Sequence, residues 1–315
     1  MTKAEKKGLR RFVCGALVCA LTVSALCACG REPVISETEA QSRIEARVQN
    51  DANEITVMTF NVAAPWGNFF TNTLTGMTTK AAAEVIAEVL PDSFGTQEMN
   101  FVWEARFKSL LSFYDSYGVE RGGDGANKLK CEKNTVFWLK DKYTAIDKGN
   151  FWLSETPEEA SRYSGAGCNR VCTWVLLEDN ATGMRYLHMN THLDHVSDEA
   201  RNYGAEVIVQ KLGELEEKYP GVPVVLTGDF NTAAESLPYN TLTAAGFADL
   251  YTVADDGQNV RSYQGWGAYG ADEGLAIDFI FAKGAQSASV CRVLSDMDTD
   301  ISDHYPVMAV IDLGE

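Results

Sequence analysis

Residues 222–231 read VPVVLTGDFN, an apolar run rich in valine that ends in Gly228-Asp229-Phe230-Asn231. Branched side chains suit a pleated, buried surface, so residues 222–226 are a predicted strand with polar residues at its C-terminal end. The same punctuation recurs along the chain. Asn61 ends the strand-like run ITVMTFN, and Gln97 and Glu98 end the run after Pro91. Thr191, His192, Asp194 and His195 follow RYLHMN, and Ser302-Asp303-His304 precedes the last apolar run, 307–311. One such residue is ordinarily part of a turn. A series of them places polar groups on a rigid rim, where sites in α/β proteins form. Asp278 differs because it lies inside LAIDFIF; a carboxylate there needs a partner to offset its desolvation. Alternation along 185–191 puts His188, Asn190 and His192 on one face, opposite Leu187, Met189 and Leu193.

Working outward, further strands are predicted at 55–62, 135–140, 149–153, 171–178, 277–282 and 288–294. Helices are expected at 80–90, stopped by Pro91, at 100–112 and at 198–219. In the last of these Val207, Ile208, Leu212, Leu215 and Tyr219 recur at three- and four-residue steps. Strands outnumber helices and do not alternate with them strictly. That pattern argues against a simple doubly wound sheet and for two packed sheets with outer helices, in one domain over residues 54–315.

The N-terminus reads as an address. Lys3, Lys6, Lys7, Arg10 and Arg11 precede an uncharged run from Phe12 to Ala28, which ends in Leu26-Cys27-Ala28-Cys29. This is the layout of a bacterial lipoprotein signal, residues 1–28, with Cys29 as the lipidated first mature residue. The expected protein is exported and held at the outer face of a bacterial cell membrane through that lipid alone. Residues 29–53, polar and without an apolar period, read as a flexible tether. Cleavage removes five basic residues and one acidic one, which takes the formal charge from −17 to −21. With 44 acidic against 27 basic side chains, the surface repels polyanions at long range, unless a cation bridges the two. Of eight cysteines, Cys131, Cys168, Cys172 and Cys291 lie in the domain. They read as structural, with a disulfide involving Cys131 allowed in an exported compartment. No histidine is near them in sequence, so no catalytic thiol is expected.

MTFNV, TQEMN, NTVFW, GNFWLSETPEE, NRVCTW, NTHLDH, LTGDFN, AIDFIF and SDHYPV occur in this order between residues 58 and 307. In that order they resemble the endonuclease/exonuclease/phosphatase (DNase I-like) superfamily, most closely a bacterial lipoprotein branch. The resemblance implies a four-layer α/β sandwich, two mixed β-sheets face to face with helices outside. It also implies a metal-dependent hydrolase acting on phosphoester bonds, with Mg²⁺ or Mn²⁺ held by Glu98, Asn61 and Asp303. Ala63 stands where many members carry Asp.

In that scheme Asp229 orients or deprotonates the attacking water, Asn231 hydrogen-bonds it or the phosphate, and His192 and His304 flank the phosphate. Asp278 orients His304, Glu132 orients His192, and Arg170 grips phosphate. Hard oxygen ligands suit Mg²⁺ or Mn²⁺, and a metal-assisted water needs no strongly basic carboxylate. The expected substrate is a phosphodiester or phosphomonoester: a phosphorylated small molecule, a lipid headgroup or a nucleic acid. Trp66, Phe69, Phe70, Trp266 and Tyr269 stand near motif ends, where they could stack a base, a sugar or a headgroup. A monomer is expected. The alternatives are an extracellular nuclease of the same fold and a non-catalytic binding lipoprotein.

Overall fold

A computed structural model describes residues 32–48, 53–64, 76–123, 125 and 130–314. The signal segment, Cys29, Trp66, Phe69 and Phe70 lie outside the described residues.

Two βαβ units organise the molecule. In the first, β1 (Glu54–Asn61), α2 (Met77–Val89) and β2 (Ser93–Met99) form a parallel pair with its crossover helix. Helix α3 (Phe101–Leu110) follows β2 directly, capped by Asn100, whose side chain accepts from the N–H groups of Val102 and Trp103. In the second unit, β7 (Arg185–His192), α4 (Asp198–Lys218) and β8 (Val224–Asp229) repeat the parallel arrangement. Parallel neighbours need such a crossover, and the apolar runs of their strands mark them as interior. Around the first pair grows a seven-stranded sheet, in which β12 (Ser287–Val293) and β13 (Val307–Asp312) flank β1 while β4 (Lys133–Leu139) and β3 (Tyr114–Tyr117) flank β2. β10 (Asp256–Gln258) adds the edge beside β12. The second sheet runs β5 (Tyr143–Trp152), β6 (Val171–Asp179), β7, β8, β11 (Asp278–Lys283) and β9 (Ala248–Asp249). The sheets face each other, β1 against β8, β2 against β7, β4 against β6 and β11 against β13, which leaves the helices to the outside. Two mixed sheets in an α/β sandwich is the expected architecture.

Buried aromatic side chains fill the core. Phe94 stacks on Phe137 at 4.6 Å between ring centroids, and Phe279 stacks on Phe281 at 5.4 Å. A polar seam also crosses between the sheets. Tyr186 donates to Ser93 Oγ, which is hydrogen-bonded to His188 Nδ1; His188 Nε2 is hydrogen-bonded to Thr227 Oγ1, which donates to Asn190 Oδ1. Asn190 in turn donates to the carbonyls of Thr96 and Thr135. The face shared by His188, Asn190 and His192 is therefore the inner one, and only His192, at the strand end, reaches the cleft.

Two expectations change. Within the stretch read as a tether, Glu37–Val48 form helix α1, which buries Ala40 and Ile44. Arg43 donates to the carbonyls of Ala87 and Glu88, and Arg47 pairs at 3.1 Å with buried Asp92. Two small apolar contacts and two arginines anchor it, a combination that produces no apolar period. The cysteines also depart from expectation: Cys168, Cys172 and Cys291 carry free thiols, so Cys131 is bonded to none of them. Cys172 lies in β6 and Cys291 in β12, which belong to opposite sheets.

Candidate active site

Register builds the site. β7 and β8 run in parallel with His192 opposite Asp229, and β11 runs antiparallel to β8 with Asp278 opposite the same Asp229. In the other sheet Asn61 is opposite Gln97, one residue before Glu98. The C-terminal ends of both parallel pairs thus meet at one edge of the sandwich, as expected for α/β ligand sites.

Asp229 is the hub. Its Oδ2 accepts from Asn61 Nδ2 at 3.0 Å and lies 3.4 Å from His192 Nε2 and 3.6 Å from His304 Nε2. Its Oδ1 accepts from the Asn231 backbone N–H at 2.9 Å. Asn231, held at φ 50°, sends its side-chain amide to the Leu193 carbonyl. Asp278 accepts from His304 Nδ1 at 2.8 Å and from Ser262 Oγ at 2.6 Å. Ser302 Oγ accepts from the His304 N–H and donates to the Asn61 carbonyl, tying the two motifs together.

The charges follow from these contacts. Burial alone would push the His304 pKa down, but the carboxylates of Asp278, Asp229 and Asp303 outweigh it and lift it to about 10. His304 is therefore an imidazolium at neutral pH. His192 goes the other way, held well below the usual range by burial and then by Arg170, Arg121 and the neighbouring histidines. Burial and the Asp278 charge push Asp229 up to about 7, against the His304 imidazolium and the Asn231 and Asn61 hydrogen bonds.

Glu98 stands at a register shift in β2 with φ 59°, a left-handed conformation that costs a non-glycine residue and turns its carboxylate towards the cleft. Oε2 accepts from the Ala64 N–H at 2.6 Å and Oε1 from Asn61 Nδ2 at 3.3 Å. Asp303 is the other acid on this wall. Its pKa is raised by burial and by the Glu98 charge, against His304, and its Oδ1 is buried with no hydrogen-bond partner. Two half-buried carboxylates, one of them with an orphaned buried oxygen, fit a hard divalent cation, with Asn61 Oδ1, which accepts from the Ala63 N–H, as a third donor.

Arg121, Lys130 and Arg170 give the same cleft a basic wall. Arg170 is 6% exposed; it lies 3.6 Å from Asp194 through Nε and donates through NH2 to His195 Nδ1 at 2.9 Å. Glu132 is paired with Arg121. Together these residues line a cleft of about 570 Å³ that includes Glu98, Glu132, Arg170, His192, Asp229, Asn231, Asp303 and His304. Asn61 and Asp278 stand behind, each held to a residue that lines it. Sequence reasoning gave no role to Arg121, Lys130 and Tyr263 on the walls or to Ser262 beneath Asp278, read Cys168 as structural, and placed His195 on the polar rim without a role. His195, in the THLDH motif, is the one it had within reach; contacts across the sandwich place the others. Trp266 and Tyr269 are exposed, at 45% and 47%.

Comparison with known proteins agrees with the fold. An endonuclease/exonuclease/phosphatase family protein from Bacteroides thetaiotaomicron is 29% identical, covering 82% of this chain and 97% of that one, with a TM-score of 0.73. A mannosyl-6-phosphatase from the same organism is 29% identical over 81% of this chain and 98% of its own, TM-score 0.72. The Bacteroides vulgatus family member is 30% identical over 83% and 99%, TM-score 0.72. No curated protein sequence matches. The model of the Endonuclease/Exonuclease/phosphatase family matches residues 58–304, from the strand that carries Asn61 to the histidine held by Asp278. The chain belongs to the endonuclease/exonuclease/phosphatase family.

Proposed function

We propose that this chain is a divalent-metal-dependent phosphoesterase that hydrolyses a small phosphomonoester of the sugar-phosphate type. The observation that carries the reading is Asp229 within 3.6 Å of both histidines, between the acid pair Glu98/Asp303 and the Arg170 wall. Glu98, Asp303 and Asn61 would hold Mg²⁺ or Mn²⁺, which when bound supplies Lewis acidity to the phosphoryl oxygens. Asp229 takes the proton of the attacking water, oriented by the Asn61 amide and the Asn231 N–H. His304, charged and fixed by Asp278, donates through Nε2 to a phosphoryl oxygen or to the leaving oxygen. His192 contributes a neutral imidazole to the same phosphate, and Arg170 grips the oxygens facing the basic wall.

The size of the cleft suits a small ligand, and the net charge of −17 opposes a long polyanion. The near full-length similarity to a mannosyl-6-phosphatase supports a phosphorylated sugar over a nucleic acid. The basic, apolar and cysteine-terminated run at the N-terminus supports export and a lipid anchor at Cys29.

The test is a substrate panel with Mg²⁺ or Mn²⁺: mannose 6-phosphate, bis-p-nitrophenyl phosphate and single-stranded DNA. The expected result is fastest release of phosphate from the monoester, abolished by EDTA. Hydrolysis of DNA above both others would favour the nuclease, and no hydrolysis of any would overturn the enzyme reading.

A further inference from the structure

The basic wall carries a second constellation that the phosphoesterase chemistry does not use. Cys168 Sγ, a carboxylate oxygen of Asp194 and a ring nitrogen of His195 all lie within 4.8 Å of one another. They come from two segments far apart in sequence, the approach to β6 and the turn after β7. Cys168 is half-buried and His195 exposed, and both line the cleft.

The arrangement is fixed in advance. Asp194 accepts from the N–H groups of Gly167, Val196 and Ser197 at 3.0–3.1 Å, which sets the direction of its carboxylate. A Cβ on Gly167 would lie 2.9 Å from His195 Cε1, so the loop and the imidazole are in direct contact. Thiolate, imidazole and one carboxylate within coordinating reach, with a side open to solvent, is a donor set for a borderline-soft cation. It differs in kind from the all-oxygen set at Glu98, Asn61 and Asp303.

We propose that Cys168, Asp194 and His195 form an inhibitory site for a thiophilic divalent cation, Zn²⁺ or Cd²⁺, beside the cleft. Arg170 donates to His195 Nδ1 and lies 3.6 Å from Asp194. A cation on the same groups either displaces the guanidinium or stands next to it as a second positive charge. Either way the posture of Arg170 is disturbed. Binding releases the thiol proton of Cys168 as the Sγ–metal bond forms, with no redox change. Occupancy rests on the donor geometry alone; inhibition rests also on the phosphoesterase reading.

Cadmium titration of the full chain in excess Mg²⁺, read by the ultraviolet thiolate-to-cadmium charge-transfer band, tests occupancy. The expected result is loss of one thiolate–cadmium band in Cys168→Ser and binding weaker by roughly tenfold or more in His195→Ala. An unchanged band in Cys168→Ser, or unchanged affinity in His195→Ala, overturns the site. For the consequence, Zn²⁺ is titrated into the Mg²⁺-dependent hydrolysis of a phosphoester. The concentration for half inhibition is expected to rise roughly tenfold or more in Cys168→Ser relative to the wild type. Equal inhibition of both overturns the inhibitory role. If no hydrolysis is seen, the phosphoesterase reading fails while the cadmium result still decides the site.

Discussion

Asp229 and His188 lie in neighbouring strands and show how burial acts on two kinds of side chain. Asp229 meets the Asn61 amide, the Asn231 N–H and the His304 imidazolium, yet burial and the Asp278 charge outweigh them and push its pKa up to about 7. His188 has hydroxyl partners only, and burial lowers its pKa to about 3. The unfolded chain therefore binds a proton that the folded one refuses as pH falls from 6.5 towards 3. Stability is fully present above that window and falls through it, by roughly 2 kcal/mol between pH 6.5 and pH 5 from this residue. Urea unfolding at the two pH values should show that loss in the wild type and a smaller one in His188→Gln. Asp278 was legible as a residue needing a partner, because a carboxylate in an apolar run loses its water and must recover that loss from a cation or a donor. Ser262, which donates to it, was not, since nothing in RSYQG marks a serine that crosses to another strand.

At the scale of elements, the strands that carry the site were legible because each pairs an apolar run with a polar end. Short edge pieces such as β3 (Tyr114–Tyr117) and β9 (Ala248–Asp249) were not, since neighbouring strands define them more than their own composition. The polar seam between sheets is tightly spaced. A Cβ on Gly95 in β2 would lie 2.3 Å from both Asn190 Oδ1 and Thr227 Oγ1. Gly95→Ala should cost about 1–3 kcal/mol in chemical denaturation, the range for overpacking a filled interior. Helix α1 makes a second prediction. Arg47 contacts Asp92, Thr56 Oγ1 and the Leu90 carbonyl, while Lys142 and Tyr143 also hold Asp92. Because those partners remain, Arg47→Ala should cost only about 1–3 kcal/mol, visible as a lower melting temperature. Equal stability of the variant and the wild type would mean that α1 is not part of the domain's cooperative unit.

The whole molecule sets an acidic surface around a cleft whose walls are of opposite sign. The negative wall, Glu98 and Asp303, suits a cation, and the positive wall, with Arg170 and Arg121, suits the phosphate that the cation would help to hold. Under the proposed function, that division would let a chain of net charge −17 hold a phosphoester, with a bound cation reversing the field locally. The order of motifs made the acids and histidines legible. Arg170 was legible with them, but its neighbours Arg121 and Lys130 were not: they join it where the 167–170 segment packs against the turn after His192, which no local pattern records. The most direct test of the central claim compares phosphomonoester hydrolysis by the wild type and Asp229→Asn in saturating Mg²⁺, with folding matched by circular dichroism. A loss of roughly 100-fold or more in kcat is expected for the group that takes the water proton, and near-wild-type turnover in Asp229→Asn would contradict the account.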